Sequence, residues 1–248
     1  MTTATVVLLH AFPLDARMWQ PQLPALAGCS VWAPDLPGFG ASPALTPDLA
    51  AWADWLIAAV PAPAVWVGLS LGGYVALEVV RRAPKLVAGL VLADTHPYGD
   101  SPAVKASRSE QIDHLAQEGS EFLAQSQPER LLGPTTRSRR PALASQIRAW
   151  IRENSASGLA AAVLALGERQ PATELLHQIN FPTLVIGGQE DQVSPPELLA
   201  SYAELIPTGR HLVIPQAGHL SNLEAPLAFN TALLGILAEV YGLNFPDH

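Results

Sequence analysis

The chain has 248 residues, 49% of them hydrophobic and 15% charged, with a formal net charge of −8. That length suits one domain with room for a sizeable core, and the apolar content excludes a disordered chain. The acidic balance, with no basic block interleaved with aromatics, would repel phosphate backbones and excludes a nucleic-acid-binding role.

The N-terminal "MTTATVVLLHAF" has an apolar run without a basic flank or a small-residue cleavage site, so it reads as a first strand at Thr5 and not as a secretory leader. A helix-length segment follows over Asp15–Ala27, and a second strand, "SVWAP", begins at Ser30. The single cysteine, Cys29, cannot close an internal disulfide, and a cytoplasmic location is expected. "GFG" at Gly38 follows a strand but opens no helix, so it reads as a turn and not as a phosphate loop.

Trp55 to Leu77 carries no charge and is nominally long enough to span a bilayer. Pro61, Pro63, Gly68, Gly72 and Gly73 punctuate it, however, and would leave backbone groups unpaired in lipid. It reads as three buried elements in series: the end of a helix over Pro47–Val60, a strand "AVWVG" at Ala64, and a helix over Leu71–Arg82. A strand "LVAGLVLAD" starts at Leu86, and further strands are expected in "PTLVIGG" at Pro182 and "RHLVIP" at Arg210, with helices over Pro195–Leu205 and Asn222–Tyr241. This alternation predicts an α/β fold with a mainly parallel sheet flanked by helices, whose sites gather at the carboxyl ends of the strands.

Residues 97–178 break the rhythm. They hold no convincing strand but do hold helical stretches such as "SEQIDHLAQEGSEFLAQ" and "PALASQIRAWIRE", as expected for a helical lid inserted into a core of residues 1–96 and 179–248. Nine basic and nine acidic residues lie in the insertion, leaving five against thirteen in the core, so the net charge sits on the core. The terminal "NFPDH" reads as a frayed tail.

Gly68-Leu69-Ser70-Leu71-Gly72 is a G-x-S-x-G motif with a strand before it and a helix after it. A sharp turn there ejects the serine hydroxyl from an otherwise buried segment. With 18 glycines and 15 serines, a random chain of this composition would carry the pattern only about 0.08 times. A serine nucleophile needs a general base, and the base needs an orienting carboxylate. Of the seven histidines, His219 in "IPQAGHLSNLEAP" follows the last strand and falls on the same edge as Ser70. His114 and His177 belong to the insertion, His211 to a strand and His248 to the terminus. For the carboxylate, Asp191 in the loop after the penultimate strand is preferred; Glu190 is its neighbour, and Asp94, at the end of the preceding strand, is its rival. An oxyanion hole needs two N–H donors, and the candidates are Leu71, at the start of its helix, and Phe12, in the loop after the first strand, which His10 would brace.

The segments "LLHAFPLDARMW", "APDLPGFGAS", "VGLSLGGYVAL", "LADT", "GGQEDQVSP" and "AGHLSNLEAP", in this order, resemble the α/β-hydrolase fold superfamily, specifically its small bacterial esterases and 3-oxoadipate enol-lactonase-like members. The resemblance covers almost the whole core and is weak across the insertion. It implies Ser70 as nucleophile, Asp191 as acid, His219 as base, and Phe12 with Leu71 as oxyanion donors. It also implies a small-molecule ester or lactone as substrate, with no metal or organic cofactor, no membrane partner, and a monomer or homodimer. Two departures stand out: His10-Ala11 replaces the family's His-Gly, so a positive φ there would strain the alanine; and the leading hairpin is expected to be missing, giving about six strands. The same triad serves carbon-carbon bond hydrolases and cofactor-free perhydrolases, and the fold also hosts binding proteins.

Substrate choice is expected to lie in the insertion. Arg130, Arg137, Arg139, Arg140, Arg148 and Arg152 are candidates to hold a substrate carboxylate, although most read as solvated helix faces. Trp150, Leu159 and Leu166 read as lid core ahead of an acyl pocket, and His96 and Tyr98 as either a hinge or a substrate contact.

Overall fold

The structure, a computed structural model, describes residues 4–243; the "NFPDH" tail and His248 lie outside the described residues. Six strands form one parallel sheet in the order β2-β1-β3-β4-β5-β6, with β1 at Thr5–Leu9, β2 at Ser30–Trp32, β3 at Ala64–Leu69, β4 at Val87–Ala93, β5 at Thr183–Gly188 and β6 at Gly209–Ile214. β3 and β5 are buried at every residue, as expected of strands covered on both faces, while burial in the edge strand β6 is incomplete and alternating.

Helix α1 (Leu49–Ala59) packs on α2 (Leu71–Arg82), and α2 lies against β1, β3 and β4. Trp52, Trp66 and Phe229 are fully buried in the resulting core. Trp66 is held in place by its indole N–H, which donates to the carbonyl of Leu86 at 2.9 Å. Of the apolar stretch from Trp55 to Leu77, the structure makes the end of α1, then β3, then the first half of α2. Among the described residues, no helix is long and apolar enough to cross a membrane.

Between β4 and β5 lie six helices: α3 (Pro102–Glu118), α4 (Glu121–Leu131), α5 (Pro134–Arg139), α6 (Pro141–Glu153), α7 (Ala156–Gly167) and α8 (Thr173–Leu176). α6 matches the sequence expectation residue for residue, because proline at its first position favours helix entry and Leu143, Ile147, Trp150 and Ile151 form one apolar stripe. The helical stretch "SEQIDHLAQEGSEFLAQ" is divided between α3 and α4 at Gly119, whose φ of 68° ends α3.

Two expectations need correction. Asp15–Ala27 is not a helix: it forms one short 3-10 turn, Ala16–Trp19, capped by the Asp15 carboxylate, and then irregular turns. Pro21 and Pro24 deny a helix the N–H groups it would need. Asn222–Tyr241 is two helices, α10 (Ser221–Glu224) and α11 (Pro226–Tyr241), parted at Pro226; α9 (Pro196–Ala203) precedes β6.

Candidate active site

The carboxyl ends of neighbouring strands bring the site together. Register pairs Leu9 with Gly68, Leu69 with Ala93, Ala93 with Ile186, and Gly188 with Ile214, so the loops that follow open on one edge. Ser70 occupies the turn between β3 and α2 with φ 53° and ψ −111°, a conformation that costs a non-glycine residue free energy. Its surroundings over-determine it: the Ser70 N–H donates to Ala93 O at 2.9 Å, and its carbonyl accepts from Gly73 N–H and the Thr95 hydroxyl, each at 2.9 Å. The turn also needs α2 to press on β1, and a Cβ on Gly72 would overlap the Leu9 carbonyl.

His219 sits in the buried loop after β6, with Nε2 2.9 Å from Ser70 Oγ and Nδ1 2.8 Å from Asp191 Oδ2. The other carboxylate oxygen, Oδ1, accepts N–H groups from Val193 at 2.7 Å and Ser194 at 3.0 Å. Burial works to raise the Asp191 carboxyl, but the charge and hydrogen bond of His219 and these two amides outweigh it and hold it below the usual carboxylate range. An ionised Asp191 accepts only, so Nδ1 carries the proton and Nε2 is left to accept from the serine hydroxyl.

Neither alternative carboxylate reaches the histidine. Glu190 is turned to Thr135, accepting its N–H at 2.9 Å and its hydroxyl. Asp94, fully buried at φ 46°, accepts from Gly188 N–H at 2.9 Å and from the Ser221 hydroxyl at 2.5 Å. Burial, reinforced by the negative charge of Asp191, pushes its carboxyl well above the ordinary range. Asp94 therefore ties the loops carrying Asp191 and His219 together without touching the imidazole.

Among the described residues, the backbone N–H groups of Phe12 and Leu71 have no protein acceptor. Leu71 is the first residue of α2, where helix geometry supplies no partner. His10 braces the Phe12 loop by accepting the Leu36 N–H on Nε2 at 2.8 Å. Ala11 is not among the residues at positive φ, so alanine in place of the family's glycine is unstrained.

Ser70, His219 and Phe12 open into one narrow cleft of about 80 Å³. Its apolar wall is Leu131, Leu166 and Val193; its polar wall is Tyr74, Arg108, Gln111, Gln127 and Arg130. Trp150, Leu159 and Leu166 all belong to the core, as expected, and Leu166 also lines the cleft. Of the arginines singled out in the sequence, only Arg130 lines it. Arg152 pairs with Glu121, Arg139 with Gln216, and Arg140 binds the carbonyls of Leu223 and Glu224. His96 lies behind the cleft, its Nε2 3.1 Å from the Tyr74 hydroxyl, and burial together with the Arg169 charge brings it down to about 4. Tyr74 was missed in the sequence, although its position four residues after Ser70 on α2 could have found it; Arg108 carried no such signal, being one arginine on a largely exposed helix.

The insertion also grips the loops carrying Glu190 and His219 through residues 131–136. Leu131 O accepts the His219 N–H at 2.8 Å, and Glu224, 8% exposed, accepts Gly133 N–H at 2.9 Å and Leu220 N–H at 3.1 Å. No sequence signal pointed to Glu224.

Comparisons with known proteins agree with this architecture. Residues 4–226 match the family described as alpha/beta hydrolase fold. The chain is 32% identical over 240 residues to a pimeloyl-[acyl-carrier protein] methyl ester esterase of Sodalis glossinidius, covering 92% of this chain and 91% of that one. A protein of Mycobacterium tuberculosis named as a non-heme bromoperoxidase is 34% identical over 194 residues, 72% of this chain and 70% of its own. Among solved structures, a thermophilic esterase from Thermogutta terrifontis superposes with a TM-score of 0.93 at 37% identity, over 97% of this chain and 91% of that one. With its six-stranded parallel sheet, its serine turn and a match across most of its length, the chain belongs to the α/β-hydrolase fold family.

Proposed function

We propose that this protein is a serine hydrolase that cleaves a small carboxylic ester or lactone through an acyl-enzyme. The observation that carries the reading is the unbroken chain Ser70 Oγ–His219–Asp191, with both links under 3 Å and both partners of the serine buried. Ser70 attacks the carbonyl while His219 Nε2 takes its proton, and Asp191 stabilises the imidazolium. The N–H groups of Phe12 and Leu71 receive the oxyanion. His219 then protonates the departing alcohol, and a water activated by the same imidazole releases the acid and restores Ser70.

Relatives named as esterases support this reaction class, and the pimeloyl-[acyl-carrier protein] methyl ester esterase adds methyl esters of carrier-bound acyl groups to the substrates worth assaying. The bromoperoxidase relative supports a second reading, in which hydrogen peroxide replaces water at deacylation and a peracid leaves. The single cysteine favours the cytoplasm as its location.

The test is kcat/KM on a chain-length series of p-nitrophenyl esters, with wild type and Ser70→Ala prepared in parallel. Turnover by wild type alone is expected. Equal turnover in both proteins would remove Ser70 from the reaction, and no turnover in either would reject simple ester hydrolysis.

A further inference from the structure

Arg108 and Arg130 both line the cleft beside Ser70, as do Gln111 and Gln127, and no carboxylate is in its wall. This is a cationic wall in a protein of net charge −8. Asp100 does not neutralise it. That buried carboxylate is shared by two guanidiniums, bonding Arg108 through Nε and Nη2 and Arg169 through Nη1 at 2.6 Å. One negative charge thus serves two positive ones, and Arg108 Nη1 has no protein partner among the described residues. Arg169 is in turn fixed by the Tyr98 and Leu166 carbonyls and lies 4.4 Å from the centre of the Tyr74 ring, so the array holding Arg108 is braced from behind.

We infer that this wall is an anion subsite, and that the preferred substrates are esters or lactones bearing a second, ionised carboxylate, such as half-esters of short dicarboxylic acids. The inference rests on the hydrolase reading above. A guanidinium with a free N–H edge in a partly closed cleft makes strong, charge-assisted bonds to a carboxylate, and the neighbouring glutamine amides can donate to its remaining lone pairs. The wall is polar where a cleft for neutral acyl chains would be apolar. A carboxylate held there fixes the far end of the substrate while the ester carbonyl lies at Ser70, which favours reaction by orientation as well as by affinity.

The experiment compares kcat/KM for monomethyl glutarate with that for methyl valerate, which replaces the carboxylate by a methyl group. Wild type is expected to favour the half-ester at least about tenfold, the factor of one charge-assisted hydrogen bond. Arg108→Gln should collapse that ratio. Arg130→Gln, at an exposed residue, should lower it without endangering the fold, and Arg137→Gln, outside the cleft, should leave it at the wild-type value. A wild-type ratio near one, or a ratio that survives both cleft variants, overturns the anion subsite while leaving the hydrolase reading intact. If wild type cleaves neither ester, the p-nitrophenyl series with Ser70→Ala decides the hydrolase reading separately. The subsite then stands only if glutarate raises the Tm of wild type and not of Arg108→Gln, and falls otherwise.

Discussion

The carbonyl of Leu131 accepts the backbone N–H of His219 at 2.8 Å, so the last residue of α4 is bonded to the residue proposed as the general base. Two residues further on, Gly133 N–H is held by Glu224, whose other oxygen holds Leu220 N–H beside the histidine. The helical insertion is therefore not an independent cover over the sheet. Any displacement of its 131–136 segment pulls on the loop that positions the imidazole.

Glu224→Ala removes the acceptor from two buried N–H groups, each worth about 1–3 kcal/mol when left unpaired. For a loss of about 3 kcal/mol, Tm should fall by roughly 6–12 °C. kcat should fall more than KM rises, since the substrate-binding wall is left in place and the histidine loop is loosened. Thermal unfolding alongside ester kinetics checks both; an unchanged Tm would show that water replaces the carboxylate freely.

Asp191→Asn should lower kcat by about 10⁴ with little change in KM or Tm. The reason is directional. Oδ1 already receives the Val193 and Ser194 N–H groups, so an amide must keep its oxygen there and turn its NH₂ toward His219 Nδ1. That forces the proton onto Nε2, which can then no longer accept from Ser70. Steady-state kinetics test this, and a loss under a hundredfold would mean that the histidine's tautomer is set elsewhere.

Asp94 gives a stability prediction with a definite sign. Its carboxyl is raised in the folded state by burial and by Asp191, so the native state binds its proton more tightly than the unfolded chain does. Its contribution is fully present below the unfolded carboxylate pKa of about 3.9 and is lost as pH rises toward the folded value. Asp94→Asn supplies an oxygen for Gly188 N–H and an NH₂ for the Ser221 oxygen without the charge. Its stability relative to wild type should therefore increase steadily with pH above about 4. Denaturation midpoints from pH 4 to 8 measure this, and a constant difference would refute it.

Ala11→Gly, which restores the residue usual in the family, should lower Tm by only about 1–4 °C, since Ala11 is unstrained and the change mainly adds freedom to the unfolded chain at a cost of about 0.5–1 kcal/mol. Ester kcat/KM should stay within a factor of two or so of wild type. A large gain in activity would show that the alanine shapes the oxyanion loop after all.

Much of the core was legible because its signals are local. A fully apolar run such as β3, followed by G-x-S-x-G and a helix, declares both a buried strand and a turn. Proline and glycine then decided what periodicity could not: Pro21, Pro24, Pro226 and Gly119 cut segments that hydrophobic content alone joins into helices. The sequence preferred Asp191 over Asp94, but the directions of the two side chains, one to His219 and the other to Ser221, show only in three dimensions, because both residues follow adjacent strands. Arg108 and Glu224 were invisible for a related reason. Their importance comes from partners that no spacing rule connects, Asp100 with Arg169 in one case and Gly133 with Leu220 in the other.

The contact between the insertion and the histidine loop is close enough that a Cβ on Gly218 would overlap the Gly133 amide nitrogen. Backbone meets backbone there, so no side-chain repacking can accommodate a different spacing. This sets the rule for re-engineering selectivity by transplanting helices from a related hydrolase. The graft must keep residues 131–136 as part of the recipient, and exchange only what lies on either side of them. A donor segment that replaced the whole of 97–178 would import its own geometry at the histidine and change turnover together with specificity.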